Sequence, residues 1–456
     1  MSRRTIRVLA GIAAAGITLT ACGVGGGSDS DDTETQQRAG SCELSEEATS
    51  DEPVTGEVAG EITFQTTALK QDFSPYFETV IAEFEEMHPD VTVNWQDDPG
   101  DASFTQRLVT DAQSCQLPDV VNLNQITAYA LYRENFLLDL DVKAPEIGDA
   151  FIPSVWDSLV MPGIDSHYVL PWYWGLTGIQ TFNTALMERA GLDPSTPPTT
   201  IDEQFDAAAQ IAETSGGEFF AFSANPMWRL PSDWQLMNVE ITNEDETEFT
   251  FADDPAALHW TERMAELYQA GALPADTISS SDDPTTLYSQ GRIVWGSTNA
   301  SSLRFVQESN AEVYAATGVA SLLSERGHAF QDGQLIAVPS TSDNPAAALA
   351  FAEYLLSPEK QSEFISDERI SNFPSTEESL SIPKLTEITG DDALAQANRL
   401  SVELAQNAEN AFIYAWSDAV NSAIIGEIQL AMQGDKSPQE ALDAAQDKAN
   451  DILSQG

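Results

Sequence analysis

The 456-residue chain carries 73 acidic against 20 basic residues, a formal charge of −53, and an apolar share of 42%. Its length predicts more than one folding unit, and its apolar content is enough for substantial cores. A polyanion on this scale repels nucleic acid and anionic lipid headgroups, so nucleic-acid binding is excluded and the acidic excess reads as a solvated surface.

Arg3, Arg4 and Arg7 precede an apolar, small-residue run over 8–21. This run is too short to span a bilayer as a helix and fits a secretory signal. It ends in Leu19-Thr20-Ala21-Cys22, which resembles the bacterial lipoprotein box. Residues 1–21 are therefore expected to be a signal peptide, and Cys22 the lipidated first residue of the mature protein. Residues 22–58, rich in Gly, Ser, Thr and acids, read as a flexible acidic tether. No later apolar run is long enough to span, so this anchor would be the only attachment, on the extracytoplasmic face of the bacterial cell membrane. Two cysteines remain, Cys42 and Cys115. In an oxidising compartment such a pair predicts a disulfide, with both residues near the amino ends of strands.

From Glu61 the pattern changes. Residues 62–66 read as a strand, and Phe77, Val80, Ile81, Phe84 and Met87 recur at helical spacing. His88-Pro89 stops that helix, because proline disfavours the helical region in the residue before it. Residues 91–93 make a second strand, 104–112 a helix and 119–123 a third strand. Alternation of this kind means parallel pairing with crossover helices, and ligands in such sheets bind beyond the carboxyl ends of the strands. Further helices are predicted over 201–214, with Thr200 or Asp202 near its start, over 255–270, with Asp253 or Asp254 as cap, and over 345–356, with a strand over 293–295. Ser437-Pro438-Gln439-Glu440 reads as a capping box opening the last helix.

Several motifs, in order, resemble one family: His88-Pro89-Asp90-Val91, Leu117-Pro118-Asp119-Val120-Val121, Leu170-Pro171 followed by Gly178 to Asn183, Gly291-Arg292-Ile293-Val294, and Leu356-Ser357-Pro358-Glu359-Lys360-Gln361. On these the chain is identified as resembling the family 1 extracellular solute-binding proteins, the maltose-binding-like receptors of ABC sugar importers. The resemblance covers roughly residues 60–455. It implies an α/β, two-lobed periplasmic-binding-protein fold, each lobe a mainly parallel sheet flanked by helices, with the ligand cleft between lobes. Carried onto this chain, lobe one would hold 60–172 and 335–375, and lobe two 176–333 and 376–456. The implied partners are a small-molecule sugar and the permease subunits of an ABC importer, with the receptor a monomer and no cofactor or metal.

A sugar offers flat C–H patches ringed by hydroxyls, which suit aromatic faces and paired hydrogen-bonding side chains respectively. Leu170-Pro171-Trp172-Tyr173-Trp174-Gly175 would be the first crossing strand, at the floor of the cleft. Strand alternation places Trp172 and Trp174 on one face and Tyr173 on the other, with at least one expected to reach ligand. The resemblance also points to Trp228, with Asn225 and Arg229 beside it, and to Trp416 or Tyr414 from a late helix. Among polar residues following strands, Asn124, Asp98, Asn299 and Gln334 are the expected contacts. Each of these residue types also serves as a cap or turn former.

The four histidines, His88, His167, His259 and His328, are scattered and lack zinc-like spacing. No Cys-x-x-Cys, nucleophile elbow or phosphate loop occurs. The chain is therefore read as a non-enzyme. A glycoside hydrolase needs only two carboxylates, so a secreted glycosidase is the first rival reading, and a surface adhesin without small ligand is the second.

Overall fold

The computed structural model describes residues 38–40, 42–100, 103–161, 163–280, 283–296, 302–324, 326–410 and 412–454. Two short strands, β1 (Arg38–Ala39) and β2 (Cys42–Glu43), and the turn of helix α1 (Glu46–Thr49) precede the first long strand, β3 (Gly60–Thr67). Helix α2 (Lys70–Met87) buries Phe73, Phe77, Val80 and Phe84 and ends at His88, ahead of Pro89. Met87, placed by periodicity on the same stripe, is 53% exposed, because the stripe leaves the sheet at the last turn. Strand β4 (Val91–Asp98), helix α3 (Phe104–Gln113), strand β5 (Val120–Leu123) and helix α4 (Gln125–Arg133) complete the alternation.

Strand β3 pairs in parallel with both β4 and β5. The chain then passes through β6 (Leu170–Thr177) into β7 (Ile179–Asn183), and helices α5 (Ile201–Ser215), α6 (Leu230–Leu236) and α7 (Pro255–Gln269) follow. Of the two residues the sequence offers at each start, Thr200 caps α5 and Asp254 caps α7 through their side chains. Strand β8 (Thr317–Ser321) pairs antiparallel with β7, and β9 (Phe330–Ala337) returns the chain between β5 and β6, antiparallel to both. The 293–295 segment contributes isolated bridges, Ile293 to Phe220 and Trp295 to Phe182.

Helices α8 (Pro345–Leu355) and α9 (Pro358–Ser366) lead to β10 (Phe373–Pro374), and β11 (Glu409–Asn410) precedes helices α10 (Asp418–Gln433) and α11 (Pro438–Ser454). The large sheet runs β10-β6-β9-β5-β3-β4, with β11 beside β9. One core packs under it, from Ile62 and Phe64 to Phe364 and Ile365. A second unites residues around β7, α5, α6, α7, α10 and α11. These are the cores of two lobes, joined at β6 and β9.

The capping box at Ser437 closes reciprocally: the Glu440 N–H donates to Ser437 Oγ at 3.3 Å, and the Ser437 N–H to Glu440 Oε2 at 3.0 Å. Ser437→Ala should cost about 1 kcal/mol, read as a lower urea midpoint. An unchanged midpoint would contradict the role given to this cap.

The expected tether divides. Its first part, with Cys22, lies outside the described residues. Residues 42–58 instead pack on lobe one. Cys42 and Cys115 form a disulfide, with Cα atoms 5.7 Å apart. Ala39 and Cys42 are buried in the cluster around Phe104, Leu108 and Leu123. Lys143, itself buried, donates through Nζ to the carbonyls of Glu47 (2.7 Å), Ser50 and Glu52 (3.4 Å). A polar, acidic composition suggested a solvated chain. The covalent bridge and a lysine satisfied by backbone carbonyls order it instead.

Candidate functional site

The carboxyl ends of β5 and β6, the start of β9, helix α6 and the approach to α10 surround a cavity of about 420 Å³. Such a volume suits a small-molecule site. Lobe one contributes Asn124, Gln125 and Ile126 at the start of α4. The crossing strands contribute Thr177, Phe330, Gln331 and Gln334. On the other side stand Ser232 and Gln235 of α6, Ile241, and the approach to α10 with Phe412, Trp416, Asp418 and Asn421. Amides and aromatic rings dominate. Among the described residues that line the cavity, Asp418 is the one that is formally charged, and none is a cation.

Asn124 caps α4: its Oδ1 accepts from the Thr127 N–H at 2.9 Å and from Thr127 Oγ1 at 3.0 Å. Its amide nitrogen has no partner among the described residues. Gln334 Oε1 accepts from Asn122 Nδ2 at 3.1 Å. Trp416 is mostly buried, edge-on to Trp234 with ring centres 6.1 Å apart, and its Nε1 donates to Asn421 Oδ1 at 3.2 Å. Of the residues expected from the sequence, Asn124, Gln334 and Trp416 meet at this cavity.

Several of the others are engaged elsewhere. Asp98 accepts from Arg107 Nε (2.8 Å) and Nη2 (2.5 Å) and from the Gly100 N–H (2.7 Å). Asn225 caps a short 3-10 turn through Met227 N and donates to the Ser280 carbonyl at 2.7 Å. Arg229 is buried, paired to Asp233 at 2.9 Å, bonded to Gln204 Oε1 at 2.6 Å, and lies 4.0 Å over the Phe222 ring. Trp228 is half-buried and does not line the cavity. Tyr414 packs against Tyr129 and Phe412, and burial pushes its hydroxyl well above the ordinary tyrosine range, with Glu246 adding to the effect. Asn299 lies outside the described residues.

The aromatic strand departs from simple alternation. Its pairing with β9 shifts register between Pro171 and Tyr173, a bulge at which Ser375 Oγ donates to the Pro171 carbonyl at 2.6 Å. A bulge inserts one residue and turns the side chains that follow. Trp172 and Tyr173 therefore both meet Phe364, with ring centres 5.3 and 5.4 Å away. Trp172 is buried at 1% exposure in the core of lobe one. Trp174 stacks on Phe373 at 4.7 Å and donates from Nε1 to the Pro374 carbonyl at 3.0 Å. Tyr173 and Trp174, with Gln125 and Gln334, line a small second cavity of about 20 Å³, room for a single water.

Sequence reasoning passed over Gln235, Gln331, Phe412, Asp418 and Asn421. A weak signal existed for two of them. Ser232 and Gln235 are three apart and so share a helix face, and Asn421 is one turn beyond the cap Ser417.

Comparison with known proteins accords with this geometry. A family model described as bacterial extracellular solute-binding protein matches residues 67–362, more than half of the chain. A Brucella abortus (strain 2308) protein, named as a candidate binding protein, is 26% identical over 243 residues, 52% of this chain and 57% of that relative. The match thus spans little more than half the relative's length. Among solved structures, a candidate oligosaccharide periplasmic-binding protein from Synechococcus sp. MITs9220, in complex with zinc, is 26% identical over 86% of this chain and 99% of its own, with a TM-score of 0.75. The cyclic alpha-maltosyl-1,6-maltose binding protein of Arthrobacter globiformis, at 19% identity, shares the fold with a TM-score of 0.69, covering 87% of this chain and 100% of its own. The sugar-binding protein MalE of Xanthomonas citri, at 18%, does so with the same score, covering 87% and 98%. With its two-lobed α/β fold and a family match over most of that fold, this chain belongs to the bacterial extracellular solute-binding proteins.

Proposed function

We propose that the chain is an extracytoplasmic receptor for a sugar, an oligosaccharide by the size of the cavity, and that it delivers this ligand to the permease of an ABC importer. The observation that carries the reading is the lining of the cavity: amides and aromatic rings from both sides of the crossing strands, without a cation among the described residues. Aromatic faces match the C–H patches of a pyranose, and amides match its hydroxyls. A ligand touching both sides favours the closed arrangement of the lobes, because it gains contacts there that the open one lacks. An anionic ligand such as a glycerophosphodiester would find no positive partner at this lining.

Asn124, Gln334 and Trp416 are the contacts we assign first, joined by Gln125, Gln235 and Asn421. The lobes divide close to 60–172 with 335–375, and 176–333 with 376–456. The lipobox at Cys22 supports a lipid-anchored monomer. Among the described residues no helix is long and apolar enough to cross a membrane. The hydrolase reading asks for two carboxylates flanking one bond, whereas among the described residues one carboxylate lines the cavity.

Titration of the purified protein with maltose, maltotriose, cellobiose, sucrose, trehalose and raffinose, followed by tryptophan fluorescence and thermal melting, tests the reading. A sugar at a hundred times its dissociation constant should stabilise the fold by about 2.7 kcal/mol. Silence toward the whole panel would remove the sugar reading, and turnover of the sugar would favour the hydrolase.

A further inference from the structure

One side chain of the cavity has a hydrogen-bonding sense that the protein itself fixes. Asn122, in β5, is fully buried and does not line the cavity. Its Nδ2 donates to the Leu335 carbonyl at 3.2 Å and to Gln334 Oε1 at 3.1 Å. A backbone carbonyl can only accept, so the Asn122 amide cannot be turned round without placing two oxygens against each other. Gln334 must then hold its Oε1 toward Asn122. The end of its amide left for the cavity is Nε2, a donor.

Gln125, beside it, has no such fixed sense. It is 5% exposed and lines both the main cavity and the small one beside it. Its Oε1 is buried without a hydrogen-bond partner among the described residues. A buried acceptor left without a donor is costly, so native structures rarely keep one unless something else satisfies it.

Resting on the sugar reading, we infer that Asn122 is a positioning residue that sets the polarity of recognition. Gln334 donates to one oxygen of the bound sugar, and the position facing it needs only an oxygen that can accept. Asn122 touches no ligand and acts through Gln334 alone.

A double-mutant cycle tests this, with dissociation constants measured by fluorescence for whichever of maltose, maltotriose, cellobiose, sucrose, trehalose or raffinose binds the wild-type protein most tightly. Asn122→Leu and Gln334→Ala should each weaken binding about tenfold, the loss of roughly one hydrogen bond. The double variant should bind no more weakly than Gln334→Ala, because Asn122 then has no side chain left to orient. Losses that multiply to about a hundredfold would mark Asn122 as merely structural and overturn the inference. So would wild-type affinity in Asn122→Leu.

Gln334→Glu keeps the test decisive if Asn122→Leu fails to fold. Its carboxylate still accepts from Asn122 but cannot donate into the cavity, so about a tenfold loss at an unchanged melting temperature is expected. Unchanged affinity overturns the inference. A wild-type protein that binds none of the six sugars overturns the sugar reading and takes this inference with it. That result is distinct from wild-type binding with multiplicative losses.

Discussion

Asp233→Ala is expected to destabilise the chain by about 3–5 kcal/mol, because it strands a buried guanidinium. Asp233 is fully buried and accepts from Arg229 Nε at 2.9 Å and from Trp260 Nε1 at 2.9 Å. Burial pushes its carboxyl above the usual range, and Arg229 pulls it back. Such a pair adds little net stability over apolar residues of the same size, but removing one partner leaves the other charge without compensation. Arg229 would keep Gln204 Oε1 and the faces of Phe222 and Phe205. The thermal midpoint should fall on the order of 10 °C. The double variant with Arg229→Met should regain part of the loss, since both charges are then gone.

The same pair decides a functional question. Relatives in the resembled family suggest a ligand contact near Trp228, and Arg229 is next to it in sequence. Here the guanidinium is spent inside lobe two. Arg229→Met should therefore lower the melting temperature while leaving sugar affinity at 20 °C within about twofold, as expected for sites without shared partners. Were Arg229→Met to melt like the wild type and lose binding, Arg229 would return to the site and the interior role would be wrong.

Breaking the Cys42–Cys115 bridge is expected to cost about 4 kcal/mol. The bridge closes a loop with a sequence separation of 73. In the chain-entropy account, a loop of that length raises the unfolded state by roughly this amount. Melting in the presence and absence of tris(2-carboxyethyl)phosphine, with Cys42→Ser/Cys115→Ser as the covalent control, measures it. Sugar affinity should change little, because the bridge lies before β5 whereas the cavity opens after it. Lys143 should still hold residues 47–52 through their carbonyls, so the reduced protein should stay folded at 25 °C. A reduced form melting like the oxidised one would show that the bridge constrains nothing.

Much of lobe one could be read from the sequence by local rules. The stripe Phe73, Phe77, Val80 and Phe84 defines α2, and Pro89 ends it at His88. The caps Thr200, Asp254 and Ser437 hydrogen-bond to groups within three residues of themselves. Cap and turn chemistry acts over such short spans that the neighbouring letters suffice. The bridge followed from elimination, since one cysteine of the three is set aside as the expected lipidation site.

The fate of the aromatic strand could not be read in that way. Period-two alternation holds only for an unbroken ladder, and the bulge at Pro171 depends on Ser375, more than 200 residues away. Whether Trp172 met ligand or core turned on Phe364, and Trp174 on Phe373. Composition likewise made residues 42–58 a tether, while Lys143 and Cys115 made most of that stretch part of lobe one. Thus the order of elements, their ends and the family were set by patterns that close within a few residues. The faces turned toward the cavity, and the hydrogen-bonding sense of Gln334 there, were decided by side chains brought together from distant parts of the chain, because burial is a property of both partners and a sequence shows only one at a time.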